Sequence, residues 1–126
     1  MYKNLTVAAV LGMIAVVLGA FGAHALKSKL IPEALESFET AVRYQFFHVL
    51  LLLFVNMYKE FTNKEKNRIS YFIIAGILLF SGSIYLIYLL KVPAKSIWFI
   101  TPLGGVLLIV GWALLAYNFV KRAVKN

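Results

Sequence analysis

The stretch Glu39-Thr40-Ala41-Val42-Arg43-Tyr44-Gln45-Phe46-Phe47-His48 runs without a break into Val49-Leu50-Leu51-Leu52-Leu53-Phe54-Val55. Polar and ionisable groups are thus carried into a run built for lipid. A charged group at the centre of a membrane helix costs about 2.5 to 3.5 kcal/mol on insertion scales, so such groups need partners inside the protein. The stretch therefore marks a membrane span and a candidate site together.

The rest of the chain agrees with the first part of that reading. Apolar residues make up 62% of its 126 positions and charged residues 14%, whereas soluble domains carry roughly 45 to 50% and 25%. Four apolar spans follow, at about residues 5–26, 41–58, 69–90 and 97–120. The first, third and fourth exceed the roughly 20 residues needed to cross a bilayer core. The second is short without its lead-in, with Arg43 and Lys59 placed to snorkel to opposite interfaces. Lipid offers the backbone no hydrogen-bond partners, so the expected fold is an all-α membrane protein, one domain of four helices in a bundle. Lys3 and Ala23-His24-Ala25 superficially match a secretory signal. Signal cores span about 7 to 15 apolar residues and this run is longer, so a retained first helix is expected.

The net charge of +8 is distributed among membrane boundaries, with no basic face suited to nucleic acid. Eight cations lie at the two termini and in the central loop (Lys3, Lys59, Lys64, Lys66, Arg68, Lys121, Arg122, Lys125), and five in the other two loops (Lys27, Lys29, Arg43, Lys91, Lys95). By the positive-inside rule both termini are expected in the cytoplasm, the membrane being a plasma membrane. Tyr2, Tyr58, Tyr71 and Tyr117 would then line the inner interface, with Tyr44, Tyr88 and Trp98 nearer the outer one. The chain has no cysteine, which excludes disulfides, thiolate metal sites and thiol catalysis.

Along the first span, Ala8, Gly12, Ala15, Gly19 and Ala23 form a narrow stripe of small residues. Such a stripe admits another helix at close range, and close packing is what membrane helices have to gain. Gly22, Gly82, Gly104 and Gly105 are further expected packing positions. The partner of the stripe is open, within the chain or in a second copy, and a homo-oligomer is expected. Pro32 followed by Glu33 and Glu36 signals a helix start, amphipathic at first, with a bend near residues 40–43 where it enters the second span. The central loop carries charge but no visible chemistry. Pro102, about one turn into the fourth span, permits a kink.

Counting depth at about 1.5 Å per residue gathers most intramembrane polar residues into the outer half. They are His24, Thr40, Tyr44, His48, Ser81, Tyr85 and Thr101, a candidate ligand-binding cluster. Glu39 and Arg43, four apart, are expected to form an interfacial ion pair. His48 stands out because its charge can change near neutral pH. Satisfied interhelical hydrogen bonds are the plainer role for all of these. The two histidines, without carboxylates at ligand spacing, give little support to a haem or other metal, and no cofactor is expected. No nucleophile has an evident base, so an enzyme is not expected.

Four strings taken together resemble a known family. They are residues 18–26 around Gly22-Ala23-His24; Thr40-Ala41-Val42-Arg43-Tyr44-Gln45 with His48; Phe80-Ser81-Gly82-Ser83-Ile84-Tyr85; and Thr101-Pro102-Leu103-Gly104-Gly105. In order and spacing they are similar to the YgdD/YwdK-like family of small bacterial membrane proteins, itself similar to a eukaryotic small transmembrane protein family. The resemblance implies a domain of unknown function with recurring positions at His24, Thr40, Tyr44, His48, Ser81, Gly82, Tyr85, Thr101, Pro102, Gly104 and Gly105. Arg43 is a looser match. The expected function is to bind or pass a small solute, proton or lipid, with membrane lipids as partners. The alternative is a structural or assembly factor for another membrane protein, its polar residues serving packing only.

Overall fold

Pro32 opens a helix that runs unbroken to Met57 (α2, Pro32–Met57). Its ring presets φ and its missing N–H is not needed in a first turn, while Ile31 ahead of it is extended, as the residue before proline prefers to be. The amphipathic lead-in and the second span are therefore one continuous helix. The computed structural model describes residues 2–125, and its other elements are α1 (Tyr2–Phe21), a π turn (Gly22–Leu26), α3 (Asn63–Leu89), a short α4 (Ala94–Ile97) and α5 (Ile100–Lys125). Four helical segments are long and apolar enough to cross a membrane. Each exposes large apolar side chains: Val16 is 62% exposed, Leu50 51%, Leu78 56% and Ile109 67%. Apolar surface on every helix belongs against lipid. The chain is a four-helix integral membrane protein.

The segments alternate in direction, and α1 packs on α2, α2 on α3, and α3 on α5. Asn4 meets Asn56 and Asn67, and Glu65 meets Lys121 and Arg122, so one end of the bundle holds the start of α1, the end of α2, the start of α3 and the end of α5. We call this the terminal end and the other the distal end.

Because lipid tails are as apolar as leucine, contact distance decides which helices associate. The stripe on α1 shows this. Ala8 and Ala15 are buried, a Cβ on Gly12 would lie 3.2 Å from Val49, one on Gly19 3.4 Å from Val42, and one on Gly22 2.8 Å from Phe38. The partner of the stripe is α2 of the same chain, which removes the stripe as an argument for a second copy. Ala23 is exposed, and Gly22 takes the place expected for it. Between α3 and α5 the approach is closer still. A Cβ on Gly104 would run into the Phe80 backbone, one on Gly111 into Ile73, and one on Gly76 would lie 2.6 Å from Leu108. Of the expected packing glycines, Gly82 faces open space and Gly105 makes only ordinary contact with the Phe80 ring at 3.8 Å. Gly76 and Gly111 hold the contact instead.

At the terminal end the central loop is not chemically bare. Thr62 caps α3 through a reciprocal pair with Glu65. Glu65 binds Arg122 at 2.8 Å and Lys121 at 3.1 Å, and Arg122 also donates to the Glu60 carbonyl at 2.7 Å and lies over the Phe61 ring. Glu65 precedes the apolar span that begins at residue 69. The Arg122 guanidinium, the Thr62 backbone and Lys121 hold its carboxyl at about 2.

At the distal end α3 closes with Val92 N–H bonded to the Leu86 carbonyl and Lys91 at φ 57°. This is a Schellman-type stop with lysine at the left-handed position that glycine usually takes. Pro102 produces no mid-helix kink, because α5 begins at Ile100 and the break with α4 falls at Trp98 and Phe99. In a first turn its missing N–H removes nothing.

Candidate functional site

One face of α2 is closed. Ala41, Gln45, His48, Leu52 and Asn56 recur at helical spacing and are all buried. Gln45, 2% exposed, donates from Nε2 to the Leu11 carbonyl of α1 at 2.7 Å and accepts at Oε1 from the Tyr85 hydroxyl of α3 at 2.7 Å. It thereby ties three helices at one level. Ser81 Oγ donates to the Ala41 carbonyl at 2.7 Å. His48 lies 3.0 Å from the Trp112 indole N–H at Nε2 and 2.6 Å from the Tyr44 carbonyl at Nδ1. An indole N–H only donates, so Nε2 is the acceptor and Nδ1 carries the proton to the carbonyl. Both nitrogens of a neutral imidazole are used by the protein itself.

The seven residues expected to converge are spread over separate contacts. Ser81 and Tyr85 meet α2, Tyr85 through Gln45. His48 pairs with Trp112, while the half-exposed Tyr44 stacks on Phe80 with ring centroids 5.1 Å apart. Thr101 bonds Ser83 between α5 and α3. Thr40 accepts from Arg43 at 3.3 Å, and His24 is exposed in the π turn. Among the described residues no buried side-chain nitrogen or oxygen lacks a hydrogen-bond partner. Depth along each helix did place these groups in one half of the bundle, but it carries no rotation, and rotation separates them.

A second polar layer, near the terminal end, was not foreseen. Asn56, fully buried, donates to the Leu52 carbonyl at 2.9 Å and to Ser70 at 2.8 Å, and accepts from Asn4 at 3.0 Å. Asn4 also donates to Asn67 at 2.8 Å. The signal available was a pair of amides inside the second span, Gln45 and Asn56, where a polar group is costly unless bonded.

The other face of α2 is open. Between it and α1 lies a groove of about 410 Å³, floored by Ala15, Gly19, Gly22 and Phe38 and walled by Val16, Val42, Phe46 and Phe47. Glu39 and Arg43 stand on its rim. They do not form the expected ion pair. Neither is ion-paired with another described residue, and Arg43 instead spends one donor on Thr40. A second hollow of about 240 Å³ continues the groove distally, sharing Gly19 and Glu39 and adding Ala23, Lys27 and Leu35. The result is an apolar slot open to lipid along its length, with two cations and one carboxylate at its distal end. No group of three or more histidine, cysteine or acidic side chains among the described residues is placed to hold a metal ion.

Comparison with known proteins places the chain in company that shares its membrane character. A family model described as "Protein of unknown function (DUF423)" matches residues 18–105. The chain is similar to a UPF0382 membrane protein of Staphylococcus aureus, 41% identical over 111 residues that cover 88% of this chain and 89% of the relative. A UPF0382 membrane protein of Haemophilus influenzae is 40% identical over 119 residues, 94% of each chain. The UPF0382 membrane protein YwdK of Bacillus subtilis is 35% identical over 115 residues, 90% of this chain and 92% of its own. No solved structure matches.

Proposed function

The chain belongs to the DUF423 family of membrane proteins, and we propose that it works without enzymatic chemistry by holding a membrane lipid in the groove between α1 and α2. One contrast supports this reading. Among the described residues the buried polar side chains all find hydrogen-bond partners within the protein, side chain or backbone, which leaves them little to offer a solute or a travelling proton, whereas the groove is open, apolar and charged at one end. A slot of that kind takes an acyl chain sideways from the bilayer and meets its headgroup at the rim. Aliphatic contact alone gains little over bulk lipid, so any preference must come from the polar end.

A photoactivatable phospholipid with its reactive group on the acyl chain tests the reading. Adducts are expected on α1 and α2 around Val16, Phe46 and Phe47. Adducts spread evenly over all four helices would contradict it.

The alternative, an assembly factor for another membrane protein, draws on the same closed polar layers, which make the bundle a fixed body for a partner to read. It predicts a protein captured by cross-linking in intact membranes and no enriched lipid. We further place the chain in the plasma membrane with both termini cytoplasmic, supported by the eight cations against five. A single cysteine at Asn63 should then resist an impermeant label in intact cells, and labelling from outside would invert the topology.

A further inference from the structure

We infer that the distal end of the α1/α2 groove selects a phospholipid whose headgroup ends in a primary amine, the ethanolamine class. The inference rests on the lipid reading of the groove and adds to it the identity of the headgroup. Three charged side chains line the two contiguous hollows: Arg43 in the larger, Lys27 in the smaller, and Glu39 in both. Their order along the slot matters more than their number. α2 enters from the distal surface, so residue number increases with depth, and Arg43 lies one turn, about 6 Å, deeper than Glu39. Below Arg43 the lining is Phe46, Phe47 and Val16. A phospholipid has the same sequence of chemistry, with acyl chains deepest, then phosphate, then the terminal headgroup nearest water.

Each level has a fitting group. Arg43 uses one donor on Thr40 at 3.3 Å, and the rest of its guanidinium fork suits phosphate oxygens. Lys27, at the outer hollow, adds a second cation near the same headgroup. Glu39, one turn shallower and without an ion-pair partner among the described residues, meets whatever follows the phosphate. A primary ammonium gives that carboxylate both charge and N–H donors, and a two-carbon link to phosphate lets it reach one turn outward. Choline brings charge but no N–H. Glycerol brings no cation, so an anionic phospholipid would leave the carboxylate facing net negative charge.

The test uses the full chain in nanodiscs containing equal parts phosphatidylethanolamine, phosphatidylcholine and phosphatidylglycerol with identical acyl chains. Native mass spectrometry after gentle release counts the headgroups retained. Wild type should keep phosphatidylethanolamine over the other two by about fivefold, the size of a well-placed exposed charge pair. Glu39→Gln should bring that ratio near one while lipid is still retained. Arg43→Gln should lower retention of all three classes by about tenfold, as loss of a charge-assisted hydrogen bond does. Unchanged thermal transitions establish that both variants are folded. Retained lipid that favours phosphatidylglycerol or phosphatidylcholine, or a preference that survives Glu39→Gln, overturns the headgroup inference and leaves the groove standing. No lipid retained by wild type above its share of the nanodisc overturns the groove as well.

Discussion

The two faces of α2 are made from neighbouring residues and do opposite things. Gln45 and His48 face inward, and every polar atom they own is answered by α1, α3, α5 or their own helix. Glu39 and Arg43, on the same helix and one or two turns away, face a groove and do not answer each other. Polarity inside a membrane protein is therefore not by itself a sign of a site. A polar group that is fully satisfied holds helices together, and one left on the rim of an open slot is available to a ligand.

The division between closed contact and open surface is sharpest at the glycines, and its largest test lies there. Gly104 admits no Cβ beside Phe80, while Gly82 meets nothing within 4 Å. Gly104→Leu should lower stability by about 3 kcal/mol or more, or prevent folding, and Gly82→Leu should stay within about 0.5 kcal/mol, both read from thermal unfolding in detergent. Equal losses at the two positions would erase the distinction between the close α3/α5 contact and the open surface at Gly82.

On the inner face of α2, Gln45→Leu removes two interhelical hydrogen bonds and orphans the Tyr85 hydroxyl. The expected loss is about 1 to 2 kcal/mol, since membrane contacts of this kind average about 0.6 kcal/mol and the orphaned group adds its own cost. Adding Tyr85→Phe should restore part of it, because the unpaired hydroxyl goes too. A fully additive double mutant would mean that the two side chains act independently.

Outside the apolar span, Glu65 offers a third kind of polar contact, an ionic clamp at the terminal end. Its carboxyl is held at about 2, below its ordinary 4.5. A depressed carboxylate contributes stability that is complete above the ordinary value and fades as pH falls from there toward 2. Unfolding temperature should drop across that window in wild type, and Glu65→Gln should start lower and lose much of the drop. A wild-type profile that is flat there would remove the clamp from the fold's support.

Much of this architecture could be read from the chain. Run length and composition reveal four spans, Pro32 marks the start of α2, and four motifs identify the family, a resemblance the comparisons bear out. The small-residue stripe on α1 was visible, but not that α2 receives it. Rotation and register were not visible. Depth alone gathered His24, Thr40, Tyr44, His48, Ser81, Tyr85 and Thr101 into one half, where helix rotation distributes them among separate contacts. The same blindness credited Gly82 with a contact that Gly76 and Gly111 make, and paired Glu39 with Arg43 because i, i+4 spacing allows it without requiring it. Gln45 and Asn56 were passed over because an amide carries no charge to draw attention, although a buried amide demands partners as firmly as most groups do.

On the proposed function, the contacts that hold the fold and those that bind lipid sit on opposite faces of α2. Counting lipid retained per chain by native mass spectrometry, on Gln45→Leu and Arg43→Gln side by side, tests it most directly. Gln45→Leu should keep its lipid at wild-type level while unfolding at lower temperature, and Arg43→Gln should lose lipid with its unfolding temperature in lipid-free detergent unchanged. Lipid lost from Gln45→Leu and kept by Arg43→Gln would contradict the assignment and return the site to the buried polar layer.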